Sequence, residues 1–103
     1  MKPLRYHILL AFAEGPRHGA EVRRSVAEQS QGAVQLYPAM LYGSLDELTA
    51  AGWIAETDAP EEHAGQSRWR FYELTPEGRA ALEAETTRLE SVVARARASL
   101  RPA

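Results

Sequence analysis

Arginine is the residue type in this chain best suited to binding a ligand, because it supplies eleven of the twelve basic side chains. A guanidinium group forms paired hydrogen bonds with a phosphate or with the edge of a guanine base. The arginines in segments that could face a phosphate backbone are Arg17, Arg23, Arg24, Arg68 and Arg70. A solvated arginine surface, or a coding sequence rich in G and C, would give the same composition. Charge alone therefore leaves phosphate binding and an ordinary surface as two open interpretations.

Catalytic and metal-binding chemistry is not indicated by the other polar residues. His7, His18 and His63 fall in a helix, a turn and a loop, and no two of them have the spacing of a metal-binding pair on a helix. The absence of cysteine excludes disulfide bonds and thiolate metal sites. No nucleophile motif and no glycine-rich phosphate loop is present. We predict that the protein is not an enzyme, has no cofactor and no metal site, and leaves His63 exposed.

The composition is that of one ordinary globular domain, but the net charge argues against nucleic-acid binding. The chain has 103 residues, 45% apolar and 25% charged, with a net charge of -2. The acidic residues are clustered, with Asp58, Glu61 and Glu62 in one loop, so the distribution of charge matters more than its sum. No apolar run approaches a membrane span, and the apolar stretch before Glu14 lacks a signal-type cleavage site. We therefore expect a cytoplasmic protein without a membrane partner.

The hydrophobic pattern predicts three helices in the first half of the chain. Residues 3–13 and 18–29 form the first two, and residues 33–36 form either a very short strand or an extended linker. The third helix begins near Pro38 and ends at Gly52, a residue type that readily takes the positive φ of a helix end. Its buried face is a stripe made of Leu41, Leu45 and Leu48.

The outward face of the third helix is built from small residues. On a helical wheel the residues opposite the leucine stripe are Ala39, Gly43 and Ala50, flanked by Met40, Tyr42 and Asp46. A face of this kind lets the helix backbone approach a groove or another surface closely. The other interpretation is that small residues are simply tolerated on an exposed surface.

Two strands and a long helix complete the predicted fold. The strands cover residues 53–57 and 68–74, and Thr75 and Pro76 begin a helix that continues to residue 100. This order of elements predicts a mainly α protein with a small β wing. We expect a winged helix-turn-helix over residues 1–75 and a long C-terminal dimerisation helix over residues 76–103.

The last predicted helix carries an apolar seam with the spacing of a coiled coil. It is about 25 residues long, or roughly 37 Å, and so projects beyond a core of this size. An exposed seam requires a partner, most simply a second copy of the chain. The predicted dimer interface consists of Leu82, Leu89, Val92, Val93, Ala96 and Leu100. The alternative is that the seam packs against its own subunit.

Three motifs in order resemble the PadR family of bacterial transcriptional regulators. The family's opening helix and the turn after it are matched by Ile8-Leu9-Leu10 and Glu14-Gly15-Pro16-Arg17-His18-Gly19. Its recognition helix is matched by Leu41-Tyr42-x-x-Leu45-x-x-Leu48-x-x-x-Gly52-x-Ile54, and its second wing strand by Arg70-Phe71-Tyr72-x-Leu74-Thr75-x-x-Gly78. The resemblance implies a homodimer that binds a palindromic operator in double-stranded DNA, usually as a repressor. The single C-terminal helix resembles the short subgroup, which dimerises through that helix.

The residues expected to contact DNA come from three parts of the predicted fold. Tyr42 resembles the family tyrosine that contacts the DNA backbone. The full set is His18, Gly19 and Arg23 in the second helix, Tyr37, Met40, Tyr42 and Ser44 in the third, and Arg68 and Arg70 in the wing. The chain departs from the family's usual residues at Ala20, Tyr37, Met40 and Gly43, which removes hydroxyl contacts to phosphate. That loss and the negative net charge motivate a second hypothesis, a winged-helix module that binds another protein instead of DNA.

The resemblance also implies a small-molecule effector, because such regulators often respond to one near the dimer interface. A small hydrophobic or aromatic effector is therefore a further predicted partner. The residues that could line an interface cavity are Ile8, Phe12, Leu89 and Val93. Plain core packing is the alternative for all four.

Overall fold

The computed structural model, which describes residues 1–63, 65 and 69–102, contains four α-helices and three short strands. In chain order the elements are α1 (Pro3–Ala13), β1 (Arg17–His18), α2 (Gly19–Gln29), α3 (Pro38–Ala50), β2 (Ile54–Thr57), a 3-10 turn (Glu61–His63), β3 (Phe71–Leu74) and α4 (Pro76–Leu100). The predicted fold class, mainly α with a small wing and a long C-terminal helix, is confirmed. Residues 33–36 form no strand: residues 33 and 34 are bends, and residues 35 and 36 are irregular.

The wing is part of a three-stranded antiparallel sheet with the order β1-β3-β2. In β2 and β3 the register pairs Ile54 with Leu74 and Thr57 with Phe71. The strand β1 was not predicted, because two residues are too few to show a period. It pairs His18 with Phe71 and so connects the start of α2 to the wing.

The core lies between α1, α2 and α3. The α3 leucine stripe is buried as predicted and packs with Ile8, Leu9 and Phe12 of α1 and with Val22 and Val26 of α2. A Cβ at Gly19 would lie 3.0 Å from the Cδ2 atom of Leu41, so glycine permits the close approach of α2 to α3. This packing fixes α3 with its opposite face in solvent.

Thr75 connects the end of α3 to the start of α4. Gly52 ends α3 with a φ of 79°, as predicted. The Thr75 hydroxyl donates a hydrogen bond to the Gly52 carbonyl at 2.6 Å and accepts one from the Gly78 amide at 3.0 Å. The second bond is an N-cap of α4, also as predicted.

The two halves of α4 have different environments. Leu82 is buried in the core of its own subunit, and the Tyr6 hydroxyl lies 2.8 Å from Thr86 Oγ1. Residues 91–100 are all exposed in the single chain, including Val93 at 52% and Leu100 at 81%. Among the described residues, no helix is both long enough and apolar enough to cross a membrane.

Candidate nucleic-acid interface

The outward face of α3 is exposed and carries large apolar side chains. Tyr37 lies at the N-cap position, and Met40 follows in the first turn. Tyr42 is 63% exposed, whereas Ser44 is half-buried. Three large side chains are thus exposed together at the start of α3, which makes this face a candidate contact surface.

A cleft of about 760 Å³ lies between the start of α2, the side of α3 and the base of the wing. We call it the wing cleft. Four of the predicted DNA-contacting residues line it together: His18, Gly19, Tyr42 and Arg70. The others in its lining are Ala20, Glu21, Arg24, Leu45, Asp46, His63, Trp69 and Tyr72. The structure therefore brings α2, α3 and the wing to one continuous surface.

A cluster of rings forms one wall of the wing cleft. The His18 ring lies 4.4 Å from the Trp69 ring and 5.2 Å from the Phe71 ring, measured between centroids. His63 packs 5.5 Å from Phe71 and 6.1 Å from His18. The expectation that His63 is simply exposed was wrong, because the 3-10 turn folds it against this cluster. The cluster anchors the wing to the start of α2.

His18 is held in place by Glu21. The His18 amide donates a hydrogen bond to Glu21 Oε1 at 3.1 Å, and the ring Nε2 lies 3.4 Å from the same oxygen. Burial lowers the pKa of His18 below its ordinary value of 6.5; Glu21 opposes this effect, and electrostatic interactions with His63 and Arg24 add to it. The neutral ring is therefore the form that the fold favours.

We predict that the melting temperature falls as the pH drops from about 7.5 to about 5.5, and that His18→Gln reduces this fall. The pKa of His18 is lower in the folded chain, so in this range the unfolded chain binds more protons and stability rises with pH. Melting curves across the range test this. At about pH 8.5 His18 is neutral in both the folded and the unfolded chain. The difference in melting temperature between the wild type and His18→Gln should therefore not change with pH there. Equal pH dependence of both proteins would contradict the assignment.

The arginines predicted to face phosphate differ in how they are held. Arg23 Nε donates to the Leu36 carbonyl at 2.8 Å and so fastens the linker before α3. Arg17 bonds to the Ala11 carbonyl and to Glu14. Arg70 Nε lies 3.7 Å from Glu56 Oε1, with both side chains exposed. Arg24 lines the wing cleft and forms no ion pair with another described residue.

Two groups of predicted site residues remain apart from this surface. Arg68 lies outside the described residues. Ile8 and Phe12 are buried in the core, Leu89 is half-buried and Val93 is exposed, and the wing cleft is lined by other residues. Ile8 and Phe12 therefore have the core-packing role that was the alternative to lining an effector pocket. No group of three or more His, Asp or Glu residues in the described ranges is arranged to hold a metal ion.

Comparison with known families identifies this arrangement. The model of the transcriptional regulator PadR-like family matches residues 8–84, which include α2, α3 and the wing. The chain belongs to the PadR-like family. Proteins of this family are DNA-binding transcriptional regulators and not enzymes. The exposed face of α3 and the wing cleft are accordingly the candidate DNA interface of a PadR-like regulator.

Solved structures share the fold. A PadR family regulator from Clostridium difficile R20291 is 17% identical with a TM-score of 0.77, covering 97% of this chain and 100% of that one. A transcriptional regulator from Clostridium thermocellum is 19% identical with a TM-score of 0.76, covering 95% and 90%. BpsR from Bordetella bronchiseptica is 21% identical with a TM-score of 0.76, covering 99% and 65%. A search of curated proteins gave no significant match. At these identities the structures support the winged-helix fold alone.

Proposed function

We propose that this PadR-like protein is a homodimeric repressor that binds a palindromic operator. In this proposal α3 enters the major groove with Tyr37, Met40, Tyr42 and Ser44, and the wing cleft faces the phosphate backbone. The observation that carries it is the exposed face of α3, where small residues sit between large apolar ones, beside Arg24, which forms no ion pair with any residue that the structure describes. A helix that packs through a buried leucine stripe on one side and exposes its other side to solvent can enter the major groove of DNA.

The dimer is proposed from α4. Its exposed half carries Val92, Val93 and Leu100, and these side chains would be covered by the same helix of a second subunit. Two subunits related by a two-fold axis present two copies of α3 to successive major grooves, about 34 Å apart. A palindromic operator mirrors that symmetry. Residues 1–75 would then serve as the DNA-binding unit and residues 76–103 as the dimerisation unit.

Release by a small molecule is a further part of the proposal. The BpsR structure concerns regulation of that protein's DNA binding by 6-hydroxynicotinic acid. A comparable effector would act on this dimer by changing the distance between the two α3 helices. Of the four residues predicted to line its pocket, Ile8 and Phe12 are packed in the core, so an interface pocket would depend on how the second subunit covers Leu89 and Val93.

The salt dependence of DNA binding tests the proposed role of the wing cleft. We expect the logarithm of the binding constant to fall with the logarithm of the salt concentration at a slope of roughly −4 to −5. The slope is shallow because few basic side chains per dimer neutralise phosphates and release the counterions of the DNA. Arg24→Ala removes two cations per dimer and should make the slope shallower by roughly 2. The measurement is fluorescence anisotropy over a salt series.

The matched control is Arg95→Ala, which removes the same charge from the exposed part of α4, away from the wing cleft. It should leave the slope unchanged. A wild-type slope near −10, or equal slopes for Arg24→Ala and the wild type, would contradict the placement of the phosphate backbone at the wing cleft.

A further inference from the structure

The side chains of α3 include none of the residues that usually read purines. Guanine is read in the major groove mainly by arginine or lysine, and adenine mainly by asparagine or glutamine. None of these four residue types occurs between Tyr37 and Ala50, a stretch that the structure describes completely. Paired hydrogen bonds to guanine or adenine are therefore unavailable to α3.

The polar groups that α3 does carry are mostly engaged elsewhere. The Thr49 hydroxyl donates to the Leu45 carbonyl at 2.7 Å. Glu47 accepts a hydrogen bond from Arg5 at 2.6 Å. Tyr42 and Asp46 line the wing cleft, and Ser44 is half-buried. The hydroxyls of Tyr37 and Tyr42 stay exposed, and the large apolar side chain exposed between them is that of Met40.

Met40 is the apolar side chain best placed to reach a base edge. It lies in the first turn of α3, the part of a recognition helix that contacts bases, and is 47% exposed. A Cβ built at Gly43, three residues further along, would meet nothing within 4 Å, so the helix can approach a groove closely. The unbranched, polarisable side chain of methionine adapts to an apolar contact.

We propose that Met40 reads thymine through its 5-methyl group, and that each operator half-site carries a thymine facing Met40. Thymine is the base that presents a methyl group in the major groove. Contact between the two removes apolar surface from water on both sides. Any other base would place polar atoms of its edge against the methionine. Those atoms would lose their hydration without gaining a hydrogen bond to the protein. The inference rests on the proposed insertion of α3 into the major groove.

The test replaces thymine with deoxyuridine, which removes only the methyl group. An operator is first obtained by selection from a random duplex pool with the full-length protein, and each thymine in it is then replaced in symmetric pairs. At one symmetric pair of positions, replacing thymine with deoxyuridine is expected to weaken binding about fourfold per half-site, or about 15-fold for the palindrome. This is the effect of losing one buried methyl group at each half-site. Anisotropy measures the affinities.

Protein variants connect that loss to Met40. Met40→Ala should bind the thymine and deoxyuridine operators within about twofold of each other, while Met40→Leu, which keeps an apolar side chain, should retain most of the discrimination. Met40 is exposed, so both variants should keep the wild-type melting temperature.

Two results would overturn the inference in distinguishable ways. Selective binding that ignores every deoxyuridine substitution, or discrimination that survives in Met40→Ala, would reject the reading by Met40 while leaving the proposed repressor intact. A selection that enriches no sequence would reject the proposed function, and the inference with it.

Discussion

Replacing Val93 with glutamate is expected to separate the two subunits and to lower the apparent DNA affinity by about 100-fold or more. Val93 lies in the apolar seam of α4 and is 52% exposed in the single chain. In the proposed dimer each glutamate would be buried in the apolar interface, where the loss of hydration opposes association. A monomer contacts one half-site, so the gain from binding two linked half-sites is lost. Sedimentation equilibrium and anisotropy on one duplex measure both effects.

Ser91→Glu is the matched control for the charge. Ser91 is exposed on the same helix but lies about 200° around it from Val93, on the side away from the seam. This variant should stay dimeric and bind DNA with nearly wild-type affinity. A dimeric Val93→Glu protein would contradict the proposed interface, and a monomeric one with unchanged affinity would contradict the need for a dimer.

Gly78→Ala should destabilise the fold by at least about 2 kcal/mol, although alanine is the better helix former. Gly78 lies in the first turn of α4, where a Cβ would be 2.0 Å from the Trp53 carbonyl oxygen and 2.9 Å from the Leu74 side chain. Backbone cannot move aside as a side chain does, so α4 must shift away from the wing. Urea unfolding at one fixed protein concentration measures the loss.

Gly43→Ala is the corresponding control, because Gly43 is also a helical glycine. A Cβ there meets nothing within 4 Å, so the substitution should stabilise the fold by up to about 1 kcal/mol. Opposite signs for the two variants are the expected result. A Gly78→Ala protein as stable as the wild type would show that α4 does not pack against Trp53 as described.

Elements with a clear period could be predicted from the sequence. The spacing of Leu41, Leu45 and Leu48 indicated the face that α3 buries, because a helix repeats every 3.6 residues, and Pro38 and Gly52 marked its ends. Thr75 and Pro76 similarly marked the start of α4. These features could be predicted because the residues that determine them lie within one or two helical turns of each other.

The wing cleft could not be predicted, because it depends on contacts distant in sequence. His18 meets Phe71 only through the pairing of β1 with β3, and two residues carry no periodic signal. Likewise, Arg23 and Arg24 both fall off the buried stripe of α2. Only the path of the linker shows that Arg23 bonds to the Leu36 carbonyl while Arg24 lines the wing cleft.

We propose that this PadR-like protein recognises a specific DNA sequence as a dimer. The most direct test is fluorescence anisotropy with a labelled duplex from upstream of its own gene, with scrambled duplex as competitor. We predict binding by two chains per duplex that the unlabelled upstream duplex displaces and the scrambled duplex does not. Equal displacement by both duplexes would show DNA binding without sequence specificity and contradict the proposal. No binding at low salt would contradict it and favour a winged-helix module that binds another protein.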